Sequence, residues 1–123
     1  MSTARDRRTT RDLSDRHEAF LAKLTDGRVT PGSGNQPANQ ADVRGDVRRQ
    51  PFAFALDGKS TAGGTISVKL ADWRKIQDQA HDEIPAMGLR WYLNGQLRDT
   101  VDLVLIDAET FAELLHIARE GRA

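Results

Sequence analysis

The chain contains no cysteine. That excludes disulfide staples, thiolate metal sites and cysteine nucleophiles, and it fits a reducing compartment. No apolar stretch approaches the length of a bilayer span, and the polar start MSTARDRRTTRD is unlike a secretory signal. A cytoplasmic protein without membrane association is expected. Nor is there a net charge of either sign, since 18 Lys/Arg balance 18 Asp/Glu. His17, His81 and His116 show no metal-ligand spacing, and surface or partly buried positions are expected for them. No serine–histidine arrangement suggests a nucleophilic hydrolase, and Thr61-Ala62-Gly63-Gly64 lacks the lysine and spacing of a phosphate-cradling P-loop. No internal repeat is evident.

What remains is a chain of 123 residues, 38% apolar and 29% charged. Such a chain suits one compact domain with a modest core. Residues 1–12 are polar, basic and aperiodic, and read as a flexible tail preceding a single domain over 13–120. The basic residues are skewed toward the first half, where Arg44, Arg48 and Arg49 cluster. Arginine clusters of this kind are compatible with phosphate binding and equally with a solvated face.

Periodicity predicts a helix from about Ser14 to Thr25, with Leu13, Phe20, Leu21 and Leu24 marking its apolar face and Glu18 near the edge of that face. A very short strand at Arg28–Thr30 precedes the Gly, Pro, Asn and Gln-rich loop 31–41. Two strands are expected next, one over Val43–Arg49 and a stronger one over Pro51–Lys59. A helix over Leu70–His81, strands at Leu89–Leu93 and Val101–Ile106, and a helix capped by Asp107 complete the chain. The order is helix, three strands, helix, two strands, helix. It implies an α/β or α+β domain with a single mixed sheet of about five strands flanked by helices.

The stretch Phe52–Lys59 carries the chemistry. Side chains alternate along a strand, so Phe52, Phe54, Leu56 and Gly58 face one way, and Ala53, Ala55, Asp57 and Lys59 the other. The second face reads as a floor of small residues ending in an acid and a lysine side by side. Asp57-Gly58 is also a hairpin-turn signal. The segment after it, Lys59-Ser-Thr-Ala-Gly-Gly, is a poor return partner for so apolar a strand, which favours an extended Asp57-Gly58-Lys59. Eleven residues upstream lies Asp46, beside Gly45.

The pieces HEAFLAKL, GRVTPGSGNQ, RGDV, FALDGKST and SVKLADWRKIQDQA, in this order, resemble the PD-(D/E)XK nuclease superfamily, in particular its small Holliday junction resolvase-like members of archaea and phages. The resemblance covers about residues 14–117 and implies a restriction-endonuclease-like core. It also implies that Asp46 and Asp57 are metal ligands with Glu18 as a third acid, and that Lys59 orients or activates the attacking water. Ser33 and Gly34 would lie near the nucleic-acid backbone. Magnesium, or manganese, is the implied cofactor, because a hard cation is commonly held by one or two carboxylates plus waters and phosphate. Arg44, Arg48 and Arg49 are the candidate phosphate contacts, and Gln77 a candidate neighbour of the metal cleft. Trp73 and Trp91 are read as core rather than as base-stacking residues.

The expected activity is a metal-dependent, structure-selective endonuclease hydrolysing phosphodiester bonds in branched or double-stranded DNA during recombination, in a bacterial cell or a phage-infected host. A homodimer is expected, because symmetric cutting of a four-way junction needs two active sites. The chain departs from the family pattern at Gly45, where proline is often found, and in its neutral charge. The alternative is a nucleic-acid-binding or protein-interaction module on the same fold without cleavage.

Overall fold

The computed structural model describes residues 3–31, 41–49, 52–94 and 96–121, with side chains from residue 10 onward. Helix α1 (Thr3–Thr25) leads into strands β1 (Arg28–Val29), β2 (Val43–Arg44) and β3 (Phe54–Thr61). Helix α2 (Leu70–Gln79), strands β4 (Ile84–Tyr92) and β5 (Thr100–Leu105) and helix α3 (Ala108–Glu120) follow. The expected order of elements is the observed one. The strands form one α+β sheet in sequential order β1-β2-β3-β4-β5, mixed because β3 and β4 run parallel while every other pair is antiparallel. A parallel neighbour needs a crossover, and α2 supplies it.

Two helices sandwich this sheet. Leu21 of α1 packs with Val43, Leu56 and Ala86 on one face, and Ile76 of α2 packs with Ala41, Ala55 and Met87 on the other. Strand β3 is therefore covered on both sides, which explains its run of apolar residues. The small side chains at Ala53 and Ala55 form a seat for α2 rather than an open floor. Burying each of the larger side chains, Leu21, Leu56, Ile76 and Met87, contributes about 1.5–3 kcal/mol.

Four boundaries differ from expectation. Strand β2 stops at Arg44, five residues short of the expected Arg49, because the chain turns over 47–49 to enter β3. Helix α1 begins at Thr3, so the segment read as a tail is helical from its third residue. No glycine or proline interrupts Thr3–Thr25, and a polar sequence without breakers extends a helix once its C-terminal half is anchored by packing. Strand β3 is displaced toward its C-terminus and ends at Thr61. Strand β4 starts five residues before the expected Leu89, through Pro85 and Gly88. Proline is tolerated there because β5 first pairs with β4 at Met87, so β4 has a single neighbour at Pro85. Gly88 is demanded by α1, since a Cβ built there would lie 2.5 Å from Leu21 Cδ2.

A polar layer fastens α1 to the sheet. Arg90 of β4 forms a two-pronged bridge to Asp102 of β5, at 2.6 and 3.3 Å, and its guanidinium lies 4.5 Å from the Phe20 ring centre. The Tyr92 hydroxyl donates to the Leu13 carbonyl at 2.6 Å. His17 is fully buried in this layer, not at the surface, and its Nε2 has no hydrogen-bond partner. Among the described residues no helix is long and apolar enough to cross a membrane.

Candidate functional site

The acids converge at the C-terminal half of β3. Val43 pairs with Leu56, so Asp42, one residue before β2, stands opposite Asp57. The Gly58 N–H donates to Asp42 Oδ2 at 2.9 Å, which ties that carboxylate to the Asp57-Gly58-Lys59 backbone. Asp57 is half-buried, and burial pushes its carboxyl up to about 7; the Asp42 charge and a hydrogen bond shared with Asp42 add to this, while Lys75 and Lys59 pull the other way. Glu18 approaches from α1. Its carboxyl is also raised to about 7, by burial first and then by Asp42, Asp15 and Asp57. Glu18, Asp42 and Asp57 thus share one electrostatic neighbourhood in which full ionisation is opposed.

Lys59 follows two residues after Asp57 and shares its face, toward α2. Its Nζ lies 3.1 Å from Asp72 Oδ2 in the first turn of α2, where Asp72 also caps the helix by accepting from the Lys69 N–H. A groove of about 410 Å³ opens beside Lys59, lined with hydroxyls from Ser14, Ser60, Thr61, Thr65 and Ser67.

Asp46 does not belong to this cluster. The Gly45 N–H donates to the Phe54 carbonyl, which places Asp46 near the start of β3, roughly four residues or about 13 Å along the strand from the level of Asp57. There it accepts from the Arg48 backbone N–H at 3.0 Å and pairs with Arg48 and Arg49, and these bonds lower its carboxyl below the ordinary range. It lines a separate cleft of about 280 Å³ with Arg28, Arg44 and Arg49. Register is the physical reason for this separation: with the β2–β3 turn at 45–53, Asp42 rather than Asp46 reaches the level of Asp57. The signal was present as Asp42-Val43-Arg44, equidistant with Asp57 from that turn, but the turn's position is not written in the spacing.

The remaining candidates divide. Arg48 and Arg49 are exposed, with only surface contacts to Asp46. Arg44 is not free to meet a phosphate, because it bridges Glu83 at 2.9 Å and donates to the Gln79 carbonyl. Gln77 points away from the sheet, exposed on α2, while Lys75 of the same helix influences Asp57. Trp73 packs partly buried against the α2-side core, and Trp91 is half-buried. Ser33 and Gly34 lie outside the described residues. Sequence reasoning missed Asp42, Asp72 and Lys75; the last two sit one helical turn apart on α2, a spacing that marks them as neighbours only once the helix is known to face β3.

Among the described residues, no three His, Asp or Glu side chains converge closely enough to hold a metal ion outright. The donor chemistry nonetheless fits a hard divalent cation. Asp42 and Asp57 are two carboxylates sharing a hydrogen bond, and one or two carboxylates are what magnesium commonly takes from a protein. Comparison with protein-family models, with curated proteins and with solved structures found no match.

Proposed function

We propose that the chain is a metal-dependent DNA endonuclease of the PD-(D/E)XK type, acting on branched DNA, with Asp42 rather than Asp46 as its first acid. The observation that carries this reading is the pairing of Asp42 with Asp57 across β2–β3, with Lys59 two residues on and Glu18 brought in by α1. The motif then sits on the order of elements from which the resemblance was drawn. Asp42 and Asp57 would hold the cation, which supplies positive charge beside the scissile phosphate.

The chain's own groups have definable tasks. Hydrolysis adds water to phosphorus and breaks the bond to a sugar oxygen, so a proton must leave the water and the departing oxygen must be stabilised. Glu18, titrating near 7, suits acceptance of that proton, since a general base works best when its pKa lies near the operating pH. Lys59 donates positive charge toward the developing oxyanion, and Asp72 holds its ammonium in place until substrate competes for it. The hydroxyl-lined groove beside Lys59 offers donors to backbone phosphates.

Cleavage of a labelled four-way junction, beside matched duplex and single strand, with magnesium or manganese tests the assignment. Asp42→Asn, Asp57→Asn and Lys59→Ala are each expected to lower the rate at least 100-fold while junction binding persists. Asp46→Asn is expected to change it less than threefold. Loss in the Asp46 variant with retention in the Asp42 variant would overturn the assignment. The second reading, a binding module without cleavage, is favoured by the engagement of Lys59 with Asp72. Junction binding by a folded wild-type chain with no cutting under either metal would select it.

A further inference from the structure

Helix α2 runs antiparallel to β3, since Asp72 in its first turn meets Lys59 while Ile76 packs with Ala55. It therefore runs parallel to β2, and one contact fixes its level there: Arg44 of β2 donates to the Gln79 carbonyl. Lys75 lies one helical turn before Gln79, about 6 Å back along α2, and Asp42 lies two residues before Arg44, about 7 Å back along β2. The two distances match, so Lys75 comes level with Asp42 and with Asp57 opposite it. Helical geometry also decides the side. At about 100° per residue, Trp73 and Lys75 stand on opposite shoulders of α2, each about 80° from the line through Asp72 and Ile76 that faces the sheet. A right-handed crossover from β3 through α2 to β4 puts the Trp73 shoulder over β4 and the Lys75 shoulder over β2.

We propose that Lys75 is a tethered counter-cation for the Asp42–Asp57 pair, held over it until a divalent cation takes its place. This role rests on Asp42 and Asp57 holding the cation of the proposed nuclease, and it makes that site self-limiting. The Lys75 charge acts on Asp57 more strongly than that of Lys59. The difference has a structural cause, because Lys59 is engaged with Asp72, whereas no ion pair fixes Lys75 among the described residues. Lys75 also has a place to withdraw to. It lines a cleft of about 440 Å³ along α2 together with Asp78, three residues on and so its neighbour on the helix surface. An ammonium and a divalent cation repel one another, so the pair favours one or the other. Lys75 thus offsets the mutual repulsion of Asp42, Asp57 and Glu18 while the metal is away, and weakens metal binding in proportion.

Manganese binding to the chain, followed by calorimetry at pH 8 without DNA, tests the displacement. That pH lies above the value of about 7 to which Asp57 and Glu18 are raised, so competition from protons is small. Lys75→Met keeps a straight, helix-forming side chain and is expected to lower the Kd about threefold or more, while Lys75→Arg stays within about twofold of the natural chain. Urea unfolding at pH 8 without metal gives a second readout. Lys75→Met is expected to lower the midpoint in the natural chain and to leave it unchanged in an Asp57→Asn background. Manganese bound no more tightly by Lys75→Met than by the natural chain, or an equal midpoint shift in both backgrounds, would overturn the proposal. Where neither chain binds manganese, it is the metal site that fails, and the urea coupling by itself decides whether Lys75 is the counter-cation of the pair.

Discussion

Asp57 occupies a strand covered on both faces, with a second carboxyl directly opposite and two lysines nearby. Burial and Asp42 raise it to about 7 from an ordinary 3.8, and Glu18 is raised to about 7 from 4.5. Between pH 4 and 7 the folded chain thus keeps protons that the unfolded chain has released. Stability is present below this window and declines as pH rises through it, by at most about 1.4 kcal/mol per pH unit for each carboxyl. His17 acts in the opposite sense. Burial, then the Arg90 charge, lowers it to about 4, so its neutral form favours the fold above pH 6.5 and that contribution is lost as pH falls toward 4. The two effects separate by substitution: urea unfolding at pH 6 and pH 8 is expected to show a smaller loss of stability in Asp57→Asn than in the natural chain. Millimolar manganese is expected to offset the loss in the natural chain and not in the variant. An identical pH difference in both proteins would contradict the buried-carboxyl account.

At the scale of elements, the approach of α1 to the sheet decides what the site contains. Gly58 of β3 and Gly88 of β4 are register partners, and Leu21 and His17 press into the space they leave. The two glycines differ in what they tolerate. A methyl group at Gly58 would meet His17 and Leu21 at 3.4 Å, an ordinary contact, whereas at Gly88 it would overlap Leu21, itself 1% exposed and without room to retreat. Gly88→Ala is expected to cost about 1–3 kcal/mol in chemical unfolding, and Gly58→Ala less than about 1 kcal/mol. The reverse order would place α1 wrongly. This geometry also shows why parts of the fold were hard to read. Pro85 and Gly88 disguise the first half of β4, because a single unpaired edge and a close helix excuse residues that strands usually avoid. The first half of β3 was legible, since the stretch Phe54–Leu56 that the two helices cover from both sides is apolar, while its polar second half, Asp57–Thr61, was read only as far as Lys59.

Across the whole molecule, charges cancel in number, so attraction to nucleic acid depends on where individual cations stand. Arg44 is spent on Glu83 and the Gln79 carbonyl, while Arg48 and Arg49 remain exposed, and surface pairs such as theirs with Asp46 are worth little. Titration of junction binding against salt is therefore expected to give a shallow dependence. Arg48→Ala and Arg49→Ala are each expected to reduce the slope of log affinity against log salt by roughly one. An unchanged slope in both would remove this turn from the DNA-binding surface.

The amino-acid sequence by itself determined the number, order and type of the elements, because hydrophobic period, capping at Asp107 and turn residues are local properties. It also determined that Asp57 and Lys59 share one face of a strand, because alternation needs no partner. Only the tertiary structure decided that Asp42, and not Asp46, meets Asp57, because register depends on where a turn closes and how far α1 sinks between two glycines. It likewise decided that Arg44 is tied up and that His17 is buried, since each depends on residues distant in the chain that only packing brings together.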